Sequence, residues 1–179
     1  GVPNTVPLKT PAGSTTVNPL STLVQSVMDQ GADTSAASAS AGIAAALGLA
    51  PGTDVTRFNP LAALAEDSTS ASALAVQKAA ASVATLVALT AGDNSSKSQS
   101  ALDDLATNLV NAAAEGSSLS LSDAAVIASV ASAVGANTAS TTAALDALAA
   151  ISAATDLGKV SQSQASALDK IAPASPSFD

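Results

Sequence analysis

Apolar residues recur along most of this chain at intervals of three and four, the spacing of a helix with one buried face. Asn18-Pro19 is an N-cap followed by proline at the first helical position, and Leu20, Leu23, Val24, Val27 and Met28 follow at that spacing as far as Gly31. Asp33-Thr34-Ser35 opens a second helix, with Ile43 and Leu47 inward and Gly48 closing it. After a loop over Leu49 to Asn59, Asn59-Pro60 repeats the cap signature for a short helix, Pro60 to Ala65. A long helix is predicted from about Ser70 to Thr90, with Leu74, Val76, Ala79, Val83, Leu86 and Val87 inward and Gly92-Asp93-Asn94 ending it. Ser98 to Glu115 carries Leu102, Leu105, Leu109, Val110 and Ala113 on one face. Leu119 and Leu121 alternate with serine in an extended link or a two-residue bridge, and Ser122 caps a helix through Val126, Ile127, Val130 and Val134 to Gly135. Thr138 to Leu157, bringing Leu145, Leu148 and Ile151 and closed by Gly158, and Ser161 to Ala172, adding Leu168 and Ile171, complete the pattern. The fold class is all-α: a compact bundle of seven to eight Ala-rich helices. Alanine at so many facing positions lets helix axes approach near the lower end of the usual 8–10 Å range.

The two ends read differently. Residues 1–18 contain Pro3, Pro7, Pro11 and Gly13, and proline's fixed φ and missing donor exclude a helix there. This is an extended arm carrying Val2, Val6, Leu8 and Val17, more aliphatic bulk than a solvated linker needs. Two courses are open to it: against a neighbouring subunit or module, or back over its own domain. Residues 19–172 form the helical domain, and 173–179 (PASPSFD) read as a second linker. Proline-rich flanks, and a first residue other than Met, suit a module excised from a longer chain or one whose leader has been removed.

Composition removes most kinds of chemistry. The 179 residues include 45 Ala and 27 Ser, with no Cys, His, Trp or Tyr, and only Phe58 and Phe178 as aromatics. Disulfides, thiolate nucleophiles, histidine bases and the preferred ligands of transition metals are all excluded. Net charge is −8 with only 11% charged residues, and Lys9, Arg57, Lys78, Lys97, Lys159 and Lys170 are scattered singly. Nucleic-acid binding through released counterions needs clustered cations, so it is not expected. Ala71 to Ala91 is the most apolar stretch, but Gln77 and Lys78 interrupt it and alanine dominates it, so it reads as a buried core helix and not as a membrane span. A surface solubilised by Ser, Thr and Asn in place of Glu and Lys, with no cysteine, points to an extracellular bacterial protein.

The remaining candidates fail on spacing. A serine nucleophile without histidine needs lysine three residues on, but Ala75, Asn94, Asp156 and Ala167 precede the relevant lysines, and there is no Gly-x-Ser-x-Gly elbow. Asp103-Asp104, the only adjacent pair of aspartates, is read as sitting near a helix start, where the dipole favours acids. Asp54 in Gly52-Thr53-Asp54-Val55-Thr56 is a turn former, and no EF-hand or phosphate-loop pattern occurs. Asn94-Ser95-Ser96 is a formal glycosylation sequon. No threonine pair within a predicted helix has the eleven-residue interval of an ice-binding face. No enzyme activity and no cofactor are expected.

One stretch carries a resemblance. Asn18 to Val24, Val27 to Gly31, Ile43 to Leu49, Pro51 to Ala62 and Ala75 to Ala84 together resemble the Ala-rich helical modules of very large secreted bacterial proteins, the adhesin-like, calcium-repeat type of marine and cyanobacterial bacteria. The resemblance covers Val17 to about Leu89, half the chain. It implies an extracellular, cell-surface, non-catalytic role; the aspartate-rich calcium repeats themselves are missing here, so it brings no ligand residues. The expectation is therefore a structural or interaction module of a cell-surface protein or extracellular filament. Its partners would be copies of itself or neighbouring modules, joined through the arm residues Val2, Val6, Leu8 and Val17 and through small-residue surfaces. The alternative is a helical module that binds small apolar ligands or hydrophobic surfaces.

Overall fold

The computed structural model of the protein describes residues 8–31 and 34–169. Among them are eight helices and no strand: α1 (Pro19–Gln30), α2 (Ala36–Ala46), α3 (Pro60–Glu66), α4 (Ala71–Ala91), α5 (Ser95–Ala114), α6 (Ala124–Val134), α7 (Thr138–Ala153) and α8 (Leu157–Leu168). The all-α expectation holds.

Local chemistry starts these helices. Asn18 Oδ1 accepts from the Ser21 amide while Ser21 Oγ accepts from the Asn18 amide, a reciprocal cap ahead of Pro19. Asn59 does the same service before Pro60, accepting from Leu61 N and Ala62 N. Such a cap is typically worth about 1 kcal/mol. At the other ends, Gly135 stops α6 at φ +63°, its neighbour Ala136 donating back to the Ala131 carbonyl, a left-handed geometry that glycine adopts without a Cβ penalty.

Helix α4 is the axle, packed against α1, α3, α5, α6, α7 and α8. It is long and apolar enough to cross a membrane, and 61% of its most apolar window is buried inside the bundle. One core joins Leu20, Leu23, Ile43, Leu86, Leu102, Leu105, Leu109, Ile127 and Leu148 with alanines between them, and a satellite of Ala81, Ile151, Ala154 and Val160 lies beneath α8.

Several boundaries and faces differ from the sequence reading. Helix α5 starts at Ser95, three residues early, because Asn94 caps it by accepting from Lys97 N. Asp103 and Asp104 therefore sit in mid-helix, beyond the reach of the dipole at the first turn. Val110 points outward at 43% exposure: it follows the fully buried Leu109, and one residue rotates a helix by about 100°. Leu47, Leu74, Ala79, Ala113, Leu145 and Leu168 are half-buried, not fully inward. Asp123, not Ser122, caps α6, accepting from Ala125 N at 2.7 Å. Helix α7 ends at Ala153, and Gly158 lies inside α8, which Asp156 starts by accepting from Lys159 N. The Leu119–Leu121 stretch is a link without strand that enters a turn at Leu121, tied to α2 by Leu119 N donating to the Ala46 carbonyl. Ile171 and the expected second linker at 173–179 lie outside the described residues.

Candidate functional site: an uncharged apolar groove

The described part of the arm, residues 8–18, takes the second of the two courses open to it: it lies on its own domain. Pro11 is buried. The Lys9 amide donates to Thr22 Oγ1 at 3.1 Å, and the Thr22 hydroxyl lies 3.0 Å from the Lys9 and Asn18 carbonyls. Further on, Thr15 N and Thr16 N both donate to the Thr56 carbonyl at 3.1 and 3.2 Å, and Thr10 Oγ1 closes the arm on Thr16 O at 3.2 Å.

Thr56 is itself fixed by Asp54. Asp54 Oδ1 accepts from Thr56 Oγ1 at 2.6 Å, from Thr56 N at 3.0 Å and from Ser40 Oγ at 3.1 Å. The Thr56 hydroxyl is the main reason this carboxyl is held below its ordinary value. Asp54 is thus the turn former the sequence suggests, an acceptor that ties the α2–α3 loop to α2 and, through Thr56, to the arm.

Fastened there, the arm becomes one wall of a groove. The groove is lined by Leu8, Val17 and Asn18 of the arm, Asn59, Pro60 and Leu61 at the start of α3, Gln77, Ala80, Ala81 and Ala84 of α4, and Gln164 of α8. Its volume is about 480 Å³. Gln164 Nε2 reaches the Ala81 carbonyl at 3.4 Å. Four large aliphatic residues are exposed among the described residues, and three of them, Leu8 (41%), Val17 (58%) and Leu61 (52%), stand on this groove. The fourth, Val110, is elsewhere. Among the described residues no charged side chain lines the groove.

Of the sequence-predicted arm residues, Leu8 and Val17 meet at this site, while Val2 and Val6 lie outside the described residues. Leu61 and the α4 alanines were not legible as site residues. The available signal was that Pro60 and Leu64 share one buried face of the seven-residue α3, which turns Leu61 outward.

Two other grooves are charged and differently built. One of about 560 Å³ is bordered by Lys9, Asp29, Asp103 and Asp104, and one of about 480 Å³ by Asp146 and Lys159. Asp104 Oδ2 accepts from Ser129 Oγ at 2.9 Å and Asn108 Nδ2 at 3.0 Å, and Asp103 Oδ1 from Gln99 Nε2 at 2.8 Å. The acidic pair therefore serves as hydrogen-bond acceptors within α5 and between α5 and α6. Among the described residues no group of three or more acidic side chains is placed to hold a metal ion. Asp67 and Asp156 are also held below the ordinary carboxylate value, chiefly by the Thr69 hydroxyl and the Lys159 amide respectively. Those are turn and cap interactions.

Comparison of the chain with protein-family models, curated proteins and solved structures gives no match.

Proposed function

We propose that this chain is a non-enzymatic interaction module, part of a secreted bacterial cell-surface protein or extracellular filament, and that it engages copies of itself or neighbouring modules through the groove between its arm and α3. The observation that carries the reading is the gathering of Leu8, Val17 and Leu61 on one uncharged groove. Isolated exposed aliphatics are ordinary on protein surfaces; contiguous ones mark contact sites. The extracellular placement rests on the absence of Cys and the Ser-rich, charge-poor composition, together with the resemblance over Val17 to Leu89.

A second reading has its own support. The groove's volume, about 480 Å³, falls in the range of small-ligand sites, and amides from Asn18, Asn59, Gln77 and Gln164 among apolar walls are the mixture such sites show. An apolar small molecule would then replace a protein partner.

Electron microscopy and light scattering of the purified protein and of Leu61→Asp separate these readings. Leu61 occupies the first turn of α3, where an acid suits the helix dipole, so the variant keeps its fold. Loss of assembly in Leu61→Asp with unchanged helicity supports the interaction module. Assembly undisturbed by Leu61→Asp refutes it. A wild-type monomer that takes up an apolar fluorophore, and loses that uptake in Leu61→Asp, selects the ligand reading.

A further inference from the structure

We infer that a small pocket beside Lys78, separate from the groove at the arm, binds short aliphatic carboxylates. The inference does not depend on the interaction reading above.

The pocket is lined by the segment after α2, the first half of α4, the link before α6 and the second half of α7. Its volume is about 180 Å³. A cavity of about 150 Å³ takes up benzene, so there is room here for about seven or eight non-hydrogen atoms. Leu49, Leu119, Leu121 and Leu148 give it an apolar lining, and its polar side chains are Lys78 and serines. Apolar walls with a few placed polar groups are what a small-ligand site requires.

Lys78 is held ready. Its Nζ donates to the Ser152 carbonyl and, at 3.1 Å, to the Ala154 carbonyl. An ammonium has three N–H donors, so one is left over. The two carbonyls fix the long side chain in advance, which removes much of the ordering cost of binding. They carry no formal charge. The ion pairs among the described residues are Arg57–Asp54 and Lys159–Asp156, so Lys78 has no carboxylate partner there. The pockets bordered by Lys9 and Lys159 contain aspartates, whereas among the described residues no acid lines the pocket at Lys78. In a chain of net charge −8 this is a local cation without its counter-ion.

Ser82 supplies the second observation. It follows Lys78 by four residues, on the same face of α4. It is 7% exposed, it lines the pocket, and its hydroxyl makes no hydrogen bond among the described residues. Thr85 Oγ1 is the one hydroxyl there that is both unbonded and sealed from solvent, so Ser82 Oγ keeps an opening, and the pocket is the opening it lines. Buried hydroxyls without a partner are uncommon in folded proteins. A carboxylate accepts from both an ammonium and a hydroxyl, and such charge-assisted bonds are the strong ones. A neutral alcohol would leave the cation unpaired, and an alkylammonium would meet it with like charge.

Titration of the protein with hexanoate, hexanol and hexylammonium, followed by amide chemical shifts, tests the inference. Hexanoate should shift the amides of residues 47–49, 78–82 and 119–122 and saturate a single site. Its affinity should exceed that of hexanol and of hexylammonium by about tenfold or more. Lys78→Met should reduce hexanoate to the level of hexanol. Ser82→Ala leaves the contacts of Lys78 with α7 in place and should weaken hexanoate by about threefold or more. Ala75 is an exposed helical position on the pocket; Ala75→Leu keeps the helix and should weaken hexanoate and hexanol alike. Absence of hexanoate shifts at those amides overturns the inference. So does hexanol or hexylammonium binding as tightly as hexanoate, or hexanoate affinity that neither Lys78→Met nor Ser82→Ala reduces. Leu61→Asp should leave hexanoate binding unchanged, so this site and the groove at the arm stand or fall separately.

Discussion

Thr85 offers a test of whether the interior is understood. It sits in the middle of α4, 1% exposed, and its Oγ1 is a buried polar atom without a hydrogen-bond partner among the described residues. A helical threonine ordinarily donates to the carbonyl four residues back, here Ala81, but that oxygen already receives Gln164 Nε2 besides its helical amide. An unsatisfied buried polar group costs about 1–3 kcal/mol, and replacing it with an apolar group of the same shape removes that cost. Valine matches threonine in shape and closely in helix propensity. Thr85→Val should therefore stabilise the protein by about 1–2 kcal/mol, raising Tm by about 2–8 °C at this chain length. Thr90 is the internal comparison: equally interior on the same helix, its Oγ1 donates to the Leu86 carbonyl at 2.7 Å. Thr90→Val gives up a made bond and should be neutral or destabilising by up to about 1.5 kcal/mol. Urea denaturation read by circular dichroism gives both values, with m unchanged. If Thr85→Val lowers the midpoint as much as Thr90→Val does, the hydroxyl has a partner and the packing described around α4 is wrong.

Other outcomes follow from named contacts. Leu86→Ala and Leu105→Ala, both at positions with no exposure, should each cost about 2–5 kcal/mol by urea titration. Lys78 Nζ donates to the Ser152 and Ala154 carbonyls at the C-terminal end of α7; Lys78→Met should cost about 1–3 kcal/mol, with hydrogen exchange rising first in the last turn of α7. Asp54 is held below its ordinary value of 3.8, chiefly by the Thr56 hydroxyl, so the folded state favours the carboxylate. That contribution is full above 3.8 and is lost as pH falls through the lower folded value. Asp54→Asn should then lower the urea midpoint at neutral pH and flatten its decline through the carboxylate range.

The cap dipeptides Asn18-Pro19 and Asn59-Pro60 were legible because each is a local device, complete within three residues. The boundary between α7 and α8 was not. Gly158 looks like a stop, yet α7 ends at Ala153, where Lys78, more than seventy residues away in sequence, reaches its last carbonyls. The acidic pair was misplaced because Asn94 reads as loop until its side chain is seen capping α5. The aliphatic excess of the arm was visible in the sequence, and so was the alternative course back over the domain. What no local pattern contained was the groove. Its lining comes from the arm, α3, α4 and α8, so only the packed bundle brings Leu8, Val17, Leu61 and Ala84 together.

Hydrogen–deuterium exchange of the wild-type protein, compared between dilute and concentrated samples, tests most directly the claim that this groove is where the molecule meets its partners. Amides of residues 15–18 and 61–64 should become protected on concentration, while those around Val110 and the Asp29–Asp103 groove exchange at an unchanged rate. Protection that appears at those other surfaces and leaves the arm and the first turn of α3 untouched would contradict the account.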